Sequence, residues 1–380
     1  MPPIATPPTY RRPIGYLEAF LMGGLSILTY LYFAFFVDKG ASVGQIASFA
    51  FALAFVVNYP HFIASYYILY KDNAERIFTS IKFFWAGVIV PLILFGMFLA
   101  IFIFQSGVWL GYMVALMFFT VGWHYVKQIF GCLVVSNVFK TYFYSPFERG
   151  IILFNLYSLW WMTWLPGNMF GASYQYYGIT YTGLNVSSYV HTFLSNIGIQ
   201  VDLFNLGKLI VFISVSCVVV SFLYILFFHI ARYIGSGTFP HIAGILAFIT
   251  LYIWYIPVLS HPSYVYVIPF LHSLQYLAFV RIYRLNALDE QAATSTNEKE
   301  RRRKFFLGCT IFIFVTVTLG ALLFEILPKA LDREFGDLSG LGTTAYLVSF
   351  ILFINIHHYF IDNILWKKDN PLVKKYLFAK

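Results

Sequence analysis

Charged side chains are scarce in this chain. Asp, Glu, Lys and Arg make up 11% of its 380 residues, whereas a typical soluble domain carries about 25%. Hydrophobic residues make up 60% of the chain and aromatic residues 21%. This composition excludes a soluble enzyme, a disordered protein and a nucleic-acid-binding protein, and it indicates a polytopic membrane protein whose partner is the lipid bilayer.

Several common motifs are also missing. The three cysteines form no CxxC pair and lie in apolar runs, which argues against a disulfide framework and a thiolate metal site. The chain has no GxGxxG motif and no P-loop, so we expect no nucleotide site. The first thirteen residues, MPPIATPPTYRRP, lack the apolar region of a cleavable signal peptide.

Long apolar runs dominate what is present, and each is of a length that suits a transmembrane helix. We predict an all-α polytopic bundle of about ten spans, forming one integral membrane domain over 1–380. The predicted spans are 15–37, 43–70, 81–105, 108–137, 148–165, 205–231, 239–258, 262–283, 305–327 and 342–366.

Lysine and arginine are distributed unevenly between the connections. With a cytoplasmic N-terminus, the cytoplasmic side holds most of them, including the run KERRRK at 299–304 and the C-terminal tail. We therefore predict that both termini are cytoplasmic and that 285–304 is a basic cytoplasmic linker. The loop 166–203 has no Lys or Arg, is rich in Tyr, Gly, Ser and Asn, and is predicted to be a non-cytoplasmic cap. The expected location is a bacterial inner membrane.

The nine histidines fall into two groups. We predict that four of them lie at the membrane interfaces: His191, His229, His241 and His261. The other five lie within four spans that all run from outside to inside: His61, His124, His272, His357 and His358.

These five histidines share one depth in the membrane. Lys71, Arg281 and Lys367 follow the histidines of spans 2, 8 and 10 by nine or ten residues, which places those imidazoles about 14–15 Å from the cytoplasmic boundary. His124 lies at a similar level. Four helices therefore bring imidazoles near the bilayer midplane, where polar groups are usually functional.

Polar residues lie one helical turn from these histidines. They are predicted to hold the imidazoles by hydrogen bonds, as the outer shell of a metal site does. The predicted outer shell consists of Asn58, Gln128, Gln275, Tyr276 and Asp362. Because adjacent helical residues point about 100° apart, only one of His357 and His358 is expected to face inward.

Lys127 follows His124 by three residues and is predicted to be a buried cation. Its role is either to neutralise Asp362 or to hold an anionic group of a substrate. Pro60 is expected to kink its helix and free a carbonyl beside the site.

Neutral imidazoles without cysteine point to Fe, Cu or Zn. The bundle also allows a b-type haem held by two facing histidines, or a haem- or quinone-linked electron carrier. A third reading is a proton- or metal-coupled transporter with a relay through His61, His124, Lys127 and Asp362. Membrane di-iron enzymes need clusters such as HxxxH, and this chain has none.

The stretches YPH ending at His61, WH ending at His124 and HSLQY starting at His272 resemble the Brp/Blh family of membrane dioxygenases that cleave β-carotene. The resemblance covers about 20 residues. It implies one non-haem iron held by histidines, an O₂-dependent reaction, and a lipid-soluble carotenoid or other polyene or isoprenoid substrate. Tyr276 stands where the family pattern has a second histidine, so the resemblance requires His357 or His358 to replace that ligand.

Overall fold

Helices form almost the whole of the computed structural model, which describes residues 14–378 apart from 38–48, 50, 51, 260, 261, 296 and 337–339. The larger elements in chain order are α1 Tyr16–Phe36, α2 Tyr59–Tyr67, α3 Ile81–Ile103, α4 Gly107–Val138, α5 Pro146–Asn168, β1 Ser173–Tyr176, β2 Ile179–Thr182, α6 Val186–Asn196, α7 Leu203–Ser236, α8 Ile242–Tyr255, α9 Ile268–Ala292, α10 Glu298–Phe335 and α11 Ala345–Leu365. The prediction of an all-α architecture is confirmed for the described residues.

Smaller helical turns complete the chain. A short helix covers Ala74–Thr79, and π-helical turns cover Ala54–Asn58 and Ile68–Asp72 on either side of α2. Two 3₁₀ turns precede α9, and the last described residues form the turns Pro371–Val373 and Lys374–Phe378.

Seven helices of the described chain are long and apolar enough to cross a membrane, which is compatible with an integral membrane protein. They are Tyr16–Phe36, Ile81–Ile103, Gly107–Val138, Leu203–Ser236, Tyr264–Ala292, Glu298–Phe335 and Ala345–Leu365.

Three of the ten predicted spans are not among these seven. The span 43–70 begins in residues outside the described part of the chain and continues through α2. The span 148–165 coincides with α5, which has 23 residues but carries several Trp, Tyr and Asn side chains. The span 239–258 coincides with α8, whose 14 residues are fewer than the approximately 20 that a bilayer requires. Arg11 and Arg12, on which the predicted position of the N-terminus depends, lie outside the described residues.

Local sequence signals set several helix ends. Ser145 accepts a hydrogen bond from the backbone N–H of Glu148, and the Glu148 carboxylate accepts one from the Ser145 N–H, so the two form a capping box at the start of α5. Asp202 caps α7 by accepting a hydrogen bond from the backbone N–H of Asn205. Gly237 ends α7 with φ of 65°, a left-handed conformation that glycine adopts without a steric penalty.

The two predicted connections contain regular structure. Residues 166–203 include the antiparallel hairpin β1–β2 and the short helix α6, with no further span. The segment 285–304, predicted to be a linker, is mostly helical because α9 continues to Ala292 and α10 begins at Glu298. Charged residues are good helix formers, so their presence alone does not mark a loop.

Small residues allow helices to approach closely, as is common in membrane bundles. A side chain at Gly122 of α4 would collide with the Trp160 ring of α5. A Cβ at Gly320 of α10 would lie 2.8 Å from the Cβ of Tyr59, two residues before His61. The second contact sets the position of α2 and therefore of its histidine.

Helices α2, α4, α9 and α11 surround the centre of the bundle. Ion pairs join α9 to its neighbours at the end that the sequence predicts to be cytoplasmic. Arg284 of α9 lies 3.0 Å from Asp72 in the turn after α2, and Arg281 donates to Glu18 of α1. These contacts fix α9 relative to α1 and to the end of α2.

Candidate metal centre

Four histidines from four helices meet in the middle of the bundle. We call them the four-histidine cluster: His61 of α2, His124 of α4, His272 of α9 and His358 of α11. Their ligand atoms all lie within 4.8 Å of one another, and no side chain in the group is more than 4% exposed. The cluster could hold a metal ion.

Two short nitrogen-to-nitrogen contacts organise the cluster. The Nε2 atoms of His61 and His358 are 3.0 Å apart, and those of His124 and His272 are 3.2 Å apart. Since metal–imidazole bonds are about 2.0–2.1 Å long, two neighbouring ligands of one metal at right angles have their nitrogens about 3 Å apart. The two observed separations are compatible with this arrangement and are also those of a hydrogen bond between two imidazoles.

The partners of His61 define its tautomer. Its Nδ1 lies 3.1 Å from the Asn58 carbonyl oxygen and 3.0 Å from the Ser273 hydroxyl. A carbonyl can only accept, so Nδ1 carries the proton and the Nε2 lone pair points at the other histidines. This is the tautomer in which a histidine binds a metal through Nε2.

Two ring nitrogens of the cluster lack a partner. Nδ1 of His272 and Nδ1 of His358 are buried and make no hydrogen bond with any described residue. A buried polar group without a partner costs free energy, so the cluster is not explained as a set of separately satisfied interhelical hydrogen bonds. The neutral nitrogen donors, with no thiolate among them, suit Fe, Cu or Zn.

Asp362 lies at the edge of the cluster. Its Oδ2 is 3.2 Å from Nε2 of His358 and 3.9 Å from Nε2 of His124. Its Oδ1 accepts hydrogen bonds from Ser65, at 2.9 Å, and from Tyr276, at 3.0 Å. One carboxylate oxygen is therefore held by hydroxyl groups, while the other faces the imidazole nitrogens.

His357 does not belong to the cluster, although it is adjacent to His358. The Tyr66 hydroxyl donates to its Nδ1 at 2.9 Å, and its Nε2 donates to the Ala86 carbonyl at 2.8 Å. Both ring nitrogens are thus occupied, and the ring points toward α3. The structure places His358 inward and His357 on the neighbouring face of the helix.

The predicted outer-shell residues all lie near the cluster, but two of them act differently from the prediction. Asn58 reaches His61 through its backbone carbonyl, and its side chain accepts from Ser273. Gln128 was predicted to support His124, yet its amide donates to the His272 carbonyl at 3.1 Å and to Gln275 at 2.8 Å. Side chains on one helical face can contact the neighbouring helix rather than each other.

Gln275 and Tyr276 connect the cluster to more distant elements. The Gln275 amide donates to the Met22 carbonyl of α1 at 2.6 Å. The Tyr276 hydroxyl lies 2.5 Å from Ser65 and accepts from the Trp366 indole at 3.2 Å. These bonds link α1, α2, α9 and α11 around the imidazoles.

Three residues of this hydrogen-bond network were not among the predicted site residues: Ser65, Ser273 and Trp366. The signal was available for two of them, since Ser65 follows His61 by four residues and Trp366 follows Asp362 by four. Ser273 follows His272 directly, and its contact with His61 depends on how α2 packs against α9. This contact could be found only from the tertiary structure.

Lys127 is exposed, which contradicts its predicted burial. Its ammonium lies 5.8 Å from the centre of the Tyr157 ring, and no ion pair joins it to Asp362. Three residues are 300° around a helix, so Lys127 is displaced from the face of His124 toward the outside of the bundle. It lies instead on the wall of a cavity that also contacts His124, Tyr276 and Asp362.

Three of the four histidines predicted to be interfacial lie among the described residues, and all are outside the cluster. His229 contacts the Tyr144 hydroxyl at 3.1 Å and the Ile225 carbonyl at 2.7 Å. His241 caps α8, and His191 lies on α6. His261 is outside the described residues.

No protein-family model matches this chain, and no curated protein and no solved structure shows significant similarity to it. The centre is therefore interpreted from its own geometry and chemistry.

Proposed function

We propose that this protein is a membrane-embedded oxygenase with one non-haem iron in the four-histidine cluster and a lipid-soluble substrate. One observation carries the proposal: four buried imidazoles from four helices direct their Nε2 atoms at each other beside an apolar cavity.

The donors favour iron chemistry. Imidazole nitrogens together with a carboxylate oxygen are typical of non-haem iron sites that keep open positions for O₂. An iron held here would bind and activate dioxygen. Copper and zinc remain chemically compatible with the same nitrogen donors.

The chain's own residues have separate tasks in this proposal. The histidines supply neutral nitrogen donors, and the Asn58 carbonyl keeps the His61 proton on Nδ1. Ser65 and Tyr276 hold the Asp362 carboxylate with one oxygen toward the cluster. The apolar walls of the cavity exclude water and admit a substrate from the bilayer.

The resemblance to the Brp/Blh dioxygenases suggests the substrate and the reaction. It suggests a carotenoid or another polyene or isoprenoid, and its His61, His124 and His272 motifs contribute three members of the cluster. The family pattern has a second histidine at the position of Tyr276, and in this proposal His358 supplies that ligand instead. Ten spans, two cytoplasmic termini and a bacterial inner membrane are part of this proposal.

The geometry favours a non-haem metal over a bis-histidine haem. Two axial ligands on opposite faces of a porphyrin are separated by two metal–nitrogen bonds, about 4 Å in total. The paired Nε2 atoms are 3.0 and 3.2 Å apart, which leaves no room for a macrocycle between them. A transporter relay is disfavoured because Lys127 is exposed and unconnected to Asp362.

The proposal is tested on protein purified in mild detergent. We expect about one iron per chain, no Soret absorption band, and O₂ consumption when β-carotene or a shorter polyene is added. His272→Ala should lose both the iron and the O₂ consumption. His229→Ala, which changes a histidine outside the cluster, should retain both.

Two results would overturn the proposal. A Soret band would assign the histidines to haem and electron transfer. Protein without metal after expression in iron-supplemented medium, and unable to bind added Fe²⁺ under anaerobic conditions, would favour a transporter.

A further inference from the structure

A narrow cavity of about 90 Å³ lies between α4, α9 and α11. Its inner end contacts His124 and Asp362, and its wall follows α4 as far as Val135. Eleven residues of α helix correspond to about 16 Å, so the cavity is long enough to hold an extended chain. Most of its wall is apolar and includes Trp123, Phe279, Trp366 and Leu377.

Lys127 is the cation on this wall. Among the described residues no carboxylate lies within ion-pair distance of its ammonium, and the Tyr157 ring 5.8 Å away is its recorded contact. Asp362 shares the wall, but its oxygens are directed at Ser65, Tyr276 and the cluster. The negative charge that would match Lys127 is therefore not supplied by Asp362.

The position of Lys127 along α4 makes this unpaired charge costly. It lies one turn from His124 and three residues nearer the predicted cytoplasmic boundary, which places it about 10 Å from that boundary. That distance is longer than a lysine side chain can span by extending to the interface. Charges at such depth are rare and mark substrate or ion sites.

We propose that the cavity binds an amphipathic lipid with a carboxylate at one end, and that Lys127 pairs with this carboxylate. The inference rests on the proposed function, because it takes the cavity to be the substrate site of the four-histidine cluster. The apolar walls contact the hydrocarbon chain, and the ion pair neutralises both charges inside the bilayer. Lys127 is only about 4.5 Å along the helix from His124, so the acidic end lies close to the cluster.

Among the polyenes that the cavity admits, an acidic one is therefore expected to be the preferred substrate. A neutral hydrocarbon would fill the apolar walls but would leave Lys127 without a counter-charge. Lys127 is in this view a positioning residue that sets the register of the chain in the cavity, so that the carbons nearest the acid lie beside the cluster.

The test compares two polyenes that differ at one end, all-trans-retinoic acid and all-trans-retinol. Both absorb in the range of tryptophan emission, and Trp123 and Trp366 in the cavity wall serve as intrinsic reporters. Titrations of the purified protein in one detergent at alkaline pH give the two dissociation constants. For the wild type we expect the acid to bind about tenfold more tightly than the alcohol.

Three variants test whether the preference for the acid depends on the positive charge of Lys127. Lys127→Gln should lose the preference for the acid and keep the affinity for retinol, which also shows that the cavity is intact. Lys127→Arg should retain the preference. Lys140→Gln removes an exposed lysine beyond the end of α4 and should behave as the wild type.

The inference is overturned if the wild type binds both retinoids equally, if Lys127→Gln still prefers the acid, or if Trp123→Phe and Trp366→Phe leave the quenching unchanged. Metal analysis of the same preparations separates it from the proposed function. A metal-free protein that prefers the acid through Lys127 supports the inference and contradicts the oxygenase. A protein that contains iron but does not prefer the acid supports the oxygenase and contradicts the inference.

Discussion

Two buried polar clusters in this bundle differ in how completely they are hydrogen bonded. Between α5, α7 and α8, Asn155 donates to the Val218 carbonyl at 3.1 Å and to Ser221 at 2.9 Å, and it accepts from Tyr252 at 2.6 Å. In the four-histidine cluster, Nε2 atoms face one another and the Nδ1 atoms of His272 and His358 have no partner.

The two clusters therefore differ in whether their own hydrogen bonds satisfy the buried polar atoms. The amide of Asn155 is bonded at both ends, so that cluster needs nothing further and serves to hold three helices together. The imidazoles instead bring four ring nitrogens together at one point, where a metal ion could bind, and they leave two Nδ1 atoms without a hydrogen-bond partner. Burial of polar atoms alone does not distinguish the four-histidine cluster, whereas the convergence of four donor atoms within 4.8 Å of one another does.

The largest effect is expected from removing one cluster histidine. His61→Ala, His124→Ala, His272→Ala and His358→Ala should each weaken metal binding by more than about 100-fold, since loss of an outer-shell partner alone costs 10–100-fold. Anaerobic titration with Fe²⁺ or Co²⁺ measures the affinity. Unchanged metal binding in His124→Ala and His272→Ala would refute a shared site.

A smaller effect is expected at Asp362. Asp362→Asn keeps the size of the side chain but removes the charge 3.2 Å from His358, and metal affinity should fall by about 10–100-fold. The visible spectrum of the Co²⁺-loaded variant should also differ from that of the wild type. Asp332→Asn, a carboxylate that caps α11, is the control and should leave affinity and spectrum unchanged.

A change in the cluster around Asn155 should leave the metal content unchanged and should lower the stability of the fold. Asn155→Ala breaks three interhelical hydrogen bonds and is expected to lower the free energy of unfolding by about 1–2 kcal/mol. Thermal unfolding in detergent measures the loss, and metal analysis should still give the wild-type content. Loss of metal in this variant would mean that the two clusters are coupled.

The smallest effect is expected at His357, the internal control for its neighbour. Both of its nitrogens are hydrogen bonded outside the cluster, so His357→Ala should bind metal as the wild type does. Its free energy of unfolding should fall by about 1 kcal/mol. A loss of metal as large as that of His358→Ala would exchange the roles of the two residues.

The apolar runs and the shared depth of the histidines predicted the helices and most of the cluster. The sequence predicted the contacts between side chains less well. Every predicted span that lies within the described residues coincides with a helix, because apolar length alone favours a helix in a bilayer. The common depth of the histidines selected His61, His124 and His272 because distance from the basic boundary follows directly from the helical rise. The π-turns beside α2 and the inward choice of His358 depend on packing and left no signal in the sequence.

Side-chain partners were predicted less well. The spacing of three or four residues located Gln128 on the correct face, but its hydrogen bonds go to a different helix. The same rule made Lys127 appear buried, since it describes the helix and not the neighbours that cover it. Rotation of each helix about its axis is set by contacts such as Gly320 with Tyr59, which no single segment determines.

X-ray absorption at the iron edge of the purified protein can establish whether four imidazoles bind one metal. We expect one shell of nitrogen and oxygen ligands at about 2.1 Å, with outer-shell scattering from four imidazole rings that drops to three in iron-loaded His358→Ala. A spectrum that shows two or fewer imidazoles, or an iron–iron distance, would contradict it.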